Sequence, residues 1–231
     1  MRVLVLLSAL LAAPGAWAQV RCGEVRGFEP PAGGRFAVSL AVPAMPPVVV
    51  LLLLPGGNGV VDLDDGGCAQ GLRGNSLVRA MPAFVAGGAV AALVDAPAEW
   101  RGRDGLAGFR VERGHAEALG IAIRALREAY RVPVWLVGTS RGAISAANAA
   151  TALSPPAAPD GVVLTSPVSA GLVAGSAARA SRPWVAHDVF GFPLGRIAMP
   201  LLVLGHAADS CRASPPATGF ASRASAASAR A

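Results

Sequence analysis

Residues 133–150 read PVWLVGTSRGAISAANAA, and this stretch decides the fold. An aliphatic run stops at a glycine, one serine follows, and small residues suited to a helix take over after the next glycine. Residues 134–137 have the uncharged, β-branched character of a strand covered on both faces. A chain that passes from strand to helix in so few residues must turn sharply at Ser140. The positions two before and two after the serine are crowded by that turn, and both are glycine, Gly138 and Gly142. Such a turn holds the serine at the carboxyl edge of a sheet and at a helix N-terminus. Free N–H groups and the helix dipole stabilise a developing oxyanion there. The residue types also suit a serine that merely caps a helix.

Outward from this stretch, the pattern repeats. Residues 115–130, HAEALGIAIRALREAY, place Leu119, Ala122, Ile123 and Leu126 on one helical face, with Arg124, Arg127 and Glu128 away from it. Residues 48–54, VVVLLLL, are unbroken aliphatics, too few for a membrane span and suited to a central parallel strand. Residues 36–42 alternate as a strand near a sheet edge, and 89–94, 161–167 and 200–206 read as further short strands. Strands alternating with helical stretches predict an α/β fold: a mostly parallel central sheet with helices on both faces. Residues 168–199, rich in Gly, Ala and aromatics without sustained periodicity, read as a short cap over the strand ends.

Three further segments bear on chemistry. LPGGNG, residues 54–59, follows the run 48–54. Gly56 and Gly57 there allow a backbone N–H to approach a substrate, as a partner to the N–H of Arg141 in an oxyanion hole; an ordinary glycine turn has the same composition. Asp209 lies just past the strand at 200–206 and after Ser140 in chain order. It is the candidate acid that orients a histidine, or else a surface aspartate. Asp95 also ends a strand but precedes the serine, and reads as a loop or supporting residue.

GTSRG at 138–142, GNSLVRA at 74–80, DAP at 95–97 and HAADSCRASPP at 206–216 together resemble the α/β-hydrolase superfamily, in particular small exported hydrolases. The resemblance runs from about residue 35 to 216. It implies a serine hydrolase acting on carboxylic esters or related acyl compounds, with Ser140 as nucleophile, Asp209 as acid, and no metal or cofactor. It also implies a histidine downstream of the acid, and none follows Asp209. The three histidines are His115, at the start of a helix before the serine; His187, in the cap; and His206, on the strand that leads to Asp209. His206 is the candidate base, with a structural or pocket role as its alternative.

Residues 217–231 are almost entirely Ala, Ser and Arg, and read as a disordered tail. They stand where the superfamily has a final strand and helix. The expectation is a frameshifted or truncated end, with low stability and low activity. Reading the gene in the other frames beyond this point tests it: a strand, a histidine and a helix encoded there support it, and their absence refutes it.

The chain has 231 residues, 53% hydrophobic and 15% charged, which excludes a disordered protein. Its 20 basic residues are all arginine, and the net charge of +6 is spread along the chain. Nowhere do arginines alternate with aromatics, which argues against nucleic-acid binding. Residues 1–18 carry one arginine, a short apolar run and the small-residue sequence AWA, the layout of an exported leader. The apolar run falls short of the roughly 20 residues a bilayer span needs. Export to a periplasmic or extracellular space permits a disulfide, and Cys22 with Cys68 is the preferred pair, since it would tie the mature N-terminus to a loop; three free thiols are the alternative. Cys211 is left over, and no Cys/His spacing resembles a zinc site. The expected organisation is thus a leader (1–18), one domain (19–216) and a tail (217–231).

Overall fold

The computed structural model describes residues 21–30, 34–171, 177–214 and 220. The leader at 1–18 lies outside the described residues. So does the expected tail, apart from Phe220, which is buried with its ring 5.0 Å from that of Phe190 and tilted to it.

Among the described residues seven strands form one sheet: β1 (Glu24–Phe28), β2 (Phe36–Ala41), β3 (Val49–Leu54), β4 (Ala89–Val94), β5 (Val134–Thr139), β6 (Gly161–Thr165) and β7 (Leu201–Leu204). Their order is β1-β2-β4-β3-β5-β6-β7, with β2 antiparallel to both neighbours and every pair from β4 to β7 parallel. The aliphatic run forms the central strand as expected. Its alternate residues serve two cores: Val50, Leu52 and Leu54 face one side, and Leu53 the other.

Helices α2 (Arg113–Tyr130) and α3 (Gly142–Ala152) cover the first side. Leu119, Ala122, Ile123 and Leu126 are fully buried there, so the helical face read from 115–130 is the buried face. Helix α1 (Ser76–Ala86) covers the other side through Leu77 and Met81. This is the α/β architecture expected, with helices on both faces.

Two elements carry no clear sequence signal. Strand β1, EVRGF, is exposed at every residue but Phe28, so no alternation marks it. Helix α1 contains Pro82, a helix breaker by composition, and begins at Asn75, whose side chain accepts the Leu77 N–H at 3.0 Å. In the segment read as a cap, a short helix α4 (Ala177–Ser181) is followed by three 3₁₀ turns. Its later part does not simply lie over the strand ends. Phe190, Phe192, Leu194, Ile197 and Met199 pack against the core beside α3.

The Cys22–Cys68 disulfide is formed, with Cα atoms 4.9 Å apart, and Cys211 is free and exposed. It joins the entry to β1 with the long loop between β3 and α1. No helix of the described residues is long and apolar enough to cross a membrane.

Candidate active site

Ser140 stands immediately after β5 with φ +51°, a left-handed conformation that a non-glycine residue holds at a cost of about 1–3 kcal/mol. The surroundings enforce it. Its N–H donates to the Thr165 carbonyl at the end of β6 (3.0 Å), and its carbonyl accepts from Ala143 N–H (3.1 Å) and Val168 N–H (3.3 Å). A methyl group on Gly138 would stand 2.5 Å from the Gly142 carbonyl oxygen, and one on Gly142 would overlap the Leu54 carbonyl oxygen. The two glycines are therefore required by the close approach of α3 to β5 and β3. The alternative role, a serine capping the helix, is not what the geometry gives: Arg141 is the N-cap residue of α3 and no side chain caps it.

The loop after β3 runs directly against this turn. A methyl group on Gly56 would lie 2.9 Å from Ser140 Cβ and 3.5 Å from Ser140 Oγ. Gly57 has φ +60°, and Gly59 N–H closes the turn on the Gly56 carbonyl at 3.2 Å. The first N–H groups of α3 turn back, Ala143 to the Ser140 carbonyl and Ile144 to the Arg141 carbonyl (each 3.1 Å), so Arg141 and the glycine loop flank the serine.

Two charged residues, neither singled out as a site from sequence, hold this loop in place. Arg110 is 2% exposed; it donates to the Pro55 carbonyl (3.0 Å) and to Ser145 Oγ on α3 (2.8 Å). One guanidinium thus ties the glycine loop to the helix that follows the serine. Burial, and secondarily Arg141, pull its pKa down to about 9, so it stays charged at neutral pH. Asp95, fully buried, receives N–H groups from Val61 (2.7 Å), Asp62 (3.1 Å), Leu63 (3.2 Å) and Ala96 (2.8 Å), and pairs with Arg101 at 2.5 Å. Its supporting role expected from sequence is met in detail: it organises the loop that begins with the glycines. The only available signal for Arg110 was a charge between two apolar residues, Phe109 and Val111.

His115 is buried, stands edge-on to Phe109 at 5.0 Å, and has its pKa lowered to about 3 by burial and by Arg110. It packs as a neutral structural side chain.

The other two candidates lie on the turn after β7. His206 is exposed, and its Nδ1 accepts the Ala208 N–H at 3.2 Å. Asp209 Oδ1 accepts the Cys211 N–H at 2.9 Å. The structure brings Gly56, Gly57, Arg141 and Ser140 together. It forms no hydrogen bond between the His206 and Asp209 side chains, or from either to Ser140, among the described residues. His187 lies in the 3₁₀-rich segment near Val168, with its Nδ1 buried and unpartnered.

No family model and no curated protein sequence matches this chain. Solved structures do. It is similar to a lipase/esterase from Lactobacillus plantarum, with TM-score 0.56 and 17% identity over 90% of this chain and 83% of that one. It is also similar to the esterase domain of a Rhodothermus marinus protein, with TM-score 0.52 and 18% identity over 88% and 82%. A third is an alpha-beta serine hydrolase homologue from Coxiella burnetii, with TM-score 0.50 and 17% identity over 87% and 81%. With the strand order, the single antiparallel strand and the sharp serine turn after β5, these likenesses show that the chain has the α/β-hydrolase fold.

Proposed function

We propose that this chain is an exported serine hydrolase that cleaves carboxylic esters or related acyl compounds through Ser140. The observation that carries the reading is the strained turn, φ +51°, which sets Ser140 against Gly56 rather than into the helix. Strain persists only where the surroundings over-determine it, and such positions cluster at functional sites.

In this mechanism Ser140 Oγ attacks the acyl carbon. The carbonyl oxygen gains charge and is received by the N–H groups of Arg141 and of Gly56 or Gly57. The new Oγ–C bond forms as the ester C–O bond breaks, and the alcohol leaves with the proton taken from the serine. Water then attacks the acyl-serine, releasing the acid and restoring the hydroxyl. His206 is assigned as the base and Asp209 as its orienting acid. They stand two strands from Ser140, about 10 Å at ordinary strand spacing. Without an imidazole bonded to it, the serine is a weak nucleophile, and the loss of one triad member costs about 10⁴ to 10⁶ in rate. Low turnover is therefore part of the proposal. Export is supported by the leader-like residues 1–18 and is compatible with the Cys22–Cys68 disulfide.

The separation of His206 and Asp209 from Ser140 also favours a second reading, a protein that binds an acyl ligand in the same place without turning it over. Hydrolysis of 4-nitrophenyl butyrate separates the two. The hydrolase reading expects slow release of 4-nitrophenol that Ser140→Ala abolishes and His206→Ala lowers. A rate equal in the parent chain and in Ser140→Ala, with ligand binding retained, leaves the binder.

A further inference from the structure

A cavity of about 420 Å³ lies beside the serine turn, walled in part by Arg141, Ile144, Val168, Trp184, His187 and Arg212. Its position ties it to Ser140: Arg141 is the next residue, and the Val168 N–H donates to the Ser140 carbonyl at 3.3 Å. A larger hollow of about 770 Å³, lined by Arg127, Pro156 and Asp160, sits at the opposite, amino-terminal edge of β5 and β6. Ligands of open parallel sheets bind at the carboxyl ends of the strands. The smaller cavity is at that end, and its volume is within the usual 300–1,000 Å³ of ligand sites.

We infer that this cavity receives the negatively charged group of a carboxylate-bearing ester, held by the Arg141 and Arg212 guanidiniums beside the Trp184 ring. As a substrate assignment it rests on the hydrolase reading; as an anion site it stands on its own geometry.

The charges in the cavity wall are unbalanced. The Arg141 guanidinium lies 4.1 Å over the Trp184 ring, and among the described residues neither Arg141 nor Arg212 makes an ion pair. All 14 acidic side chains of the chain fall within the described residues, and none of them pairs with either arginine. The acids in nearby segments are engaged elsewhere. Asp188 receives the N–H groups of Gly171 (3.2 Å) and Phe190 (2.9 Å), Asp209 that of Cys211, and Asp104 stands 3.9 Å from Arg182. Burial is the main influence on Arg141 and lowers its pKa; Asp104 opposes this and Arg182 adds to it. A half-buried cation with no carboxylate in direct contact is poorly solvated, and a ligand anion relieves that cost.

The same wall contains two buried nitrogens without hydrogen-bond partners, Trp184 Nε1 and His187 Nδ1. Each costs about 1–3 kcal/mol unpaired. A carboxylate offers the acceptor that the indole N–H lacks after a small rotation of the ring. An uncharged ester of the same shape leaves the guanidiniums unpaired, so discrimination follows from charge and not from size.

The test uses the Ser140→Ala chain, so that ligands are not consumed, and titration calorimetry with 4-acetoxybenzoate and its neutral methyl ester. The expected result is at least about tenfold tighter binding of the acid, weakening with added salt. Arg212→Gln, at an exposed position, and Arg141→Gln, which keeps the backbone N–H, each reduce that preference. Equal affinity for the two compounds, or a preference that survives both substitutions, overturns the inference. Fluorophosphonate labelling of the parent chain reports on the hydrolase reading separately. Anion preference without labelling removes the hydrolase and keeps the site; labelling without anion preference does the reverse.

Discussion

The carboxyl ends of β5 and β7 are two strands apart in one sheet and are built to different standards. After β5, the serine turn is bonded to β6, its two glycines admit the close approach of β3 and α3, and Arg110 and Asp95 fasten the neighbouring loop from beneath. After β7, among the described residues, the side chains of His206 and Asp209 bond only to N–H groups two residues onward. The strand that carries them leaves Leu201, Leu202 and Leu204 38%, 48% and 48% exposed. The side that positions Ser140 has the packing of an interior, and the side that leads to His206 and Asp209 has the packing of an edge. On the hydrolase reading proposed above, placing the serine and activating it are thus separate achievements, and the contrast between the two strand ends divides them.

The sharpest way to break that contrast is Gly142→Ala. Its methyl group meets the Leu54 carbonyl, which is backbone and cannot yield. A loss of more than about 4 kcal/mol in urea unfolding is expected, in the exceptional range for a single substitution. A loss below 1 kcal/mol would show the turn to be looser than described.

The disulfide comes next. It closes a separation of 46 residues and anchors the loop that Asp95 organises. Loop-closure entropy puts its removal in Cys22→Ala/Cys68→Ala at about 4 kcal/mol. A change in thermal midpoint no larger than that of an exposed surface substitution would count against the loop being held this way.

His115 gives a pH-dependent effect on the same well-packed side. Its pKa is about 3 in the folded chain, against about 6.5 for an ordinary histidine. Between those values the unfolded chain holds the proton and the folded chain does not. Stability is therefore full above about pH 6.5 and falls by about 1.4 kcal/mol per pH unit as pH drops toward 3. His115→Leu should remove that component of the slope while changing stability little at pH 8. Identical slopes in the two proteins would contradict the neutral, buried imidazole.

The smallest effect belongs to the β7 side. Leu202→Gln should alter unfolding free energy by no more than about 0.5 kcal/mol, because the side chain already faces solvent. A cost above 2 kcal/mol in the same urea titration would place that leucine in a core and dissolve the contrast.

Sequence legibility follows the same division. The strands at 49–54, 89–94 and 134–139 and the buried face of α2 were readable because continuous or periodic apolar character is a local property. The serine turn was readable because sterics at 138–142 dictate glycine at two positions. Arg110 was not readable in its role, and neither were the loop N–H groups that Asp95 holds, since these partners lie 32 to 55 residues away. The path of residues 189–199 beside α3 was equally hidden: it depends on aromatic side chains filling space next to a helix of small residues, with no period of their own. Chain order and a place at the end of a strand suggested His206 and Asp209, and neither carries information about which groups their side chains bond.

The most direct test of the central claim is intact-protein and peptide mass spectrometry after exposure of the folded chain to a fluorophosphonate. The account predicts a single adduct, slow to form, on the peptide containing Ser140 and absent in Ser140→Ala. Folded protein that takes up no adduct, or carries it on another residue, contradicts it.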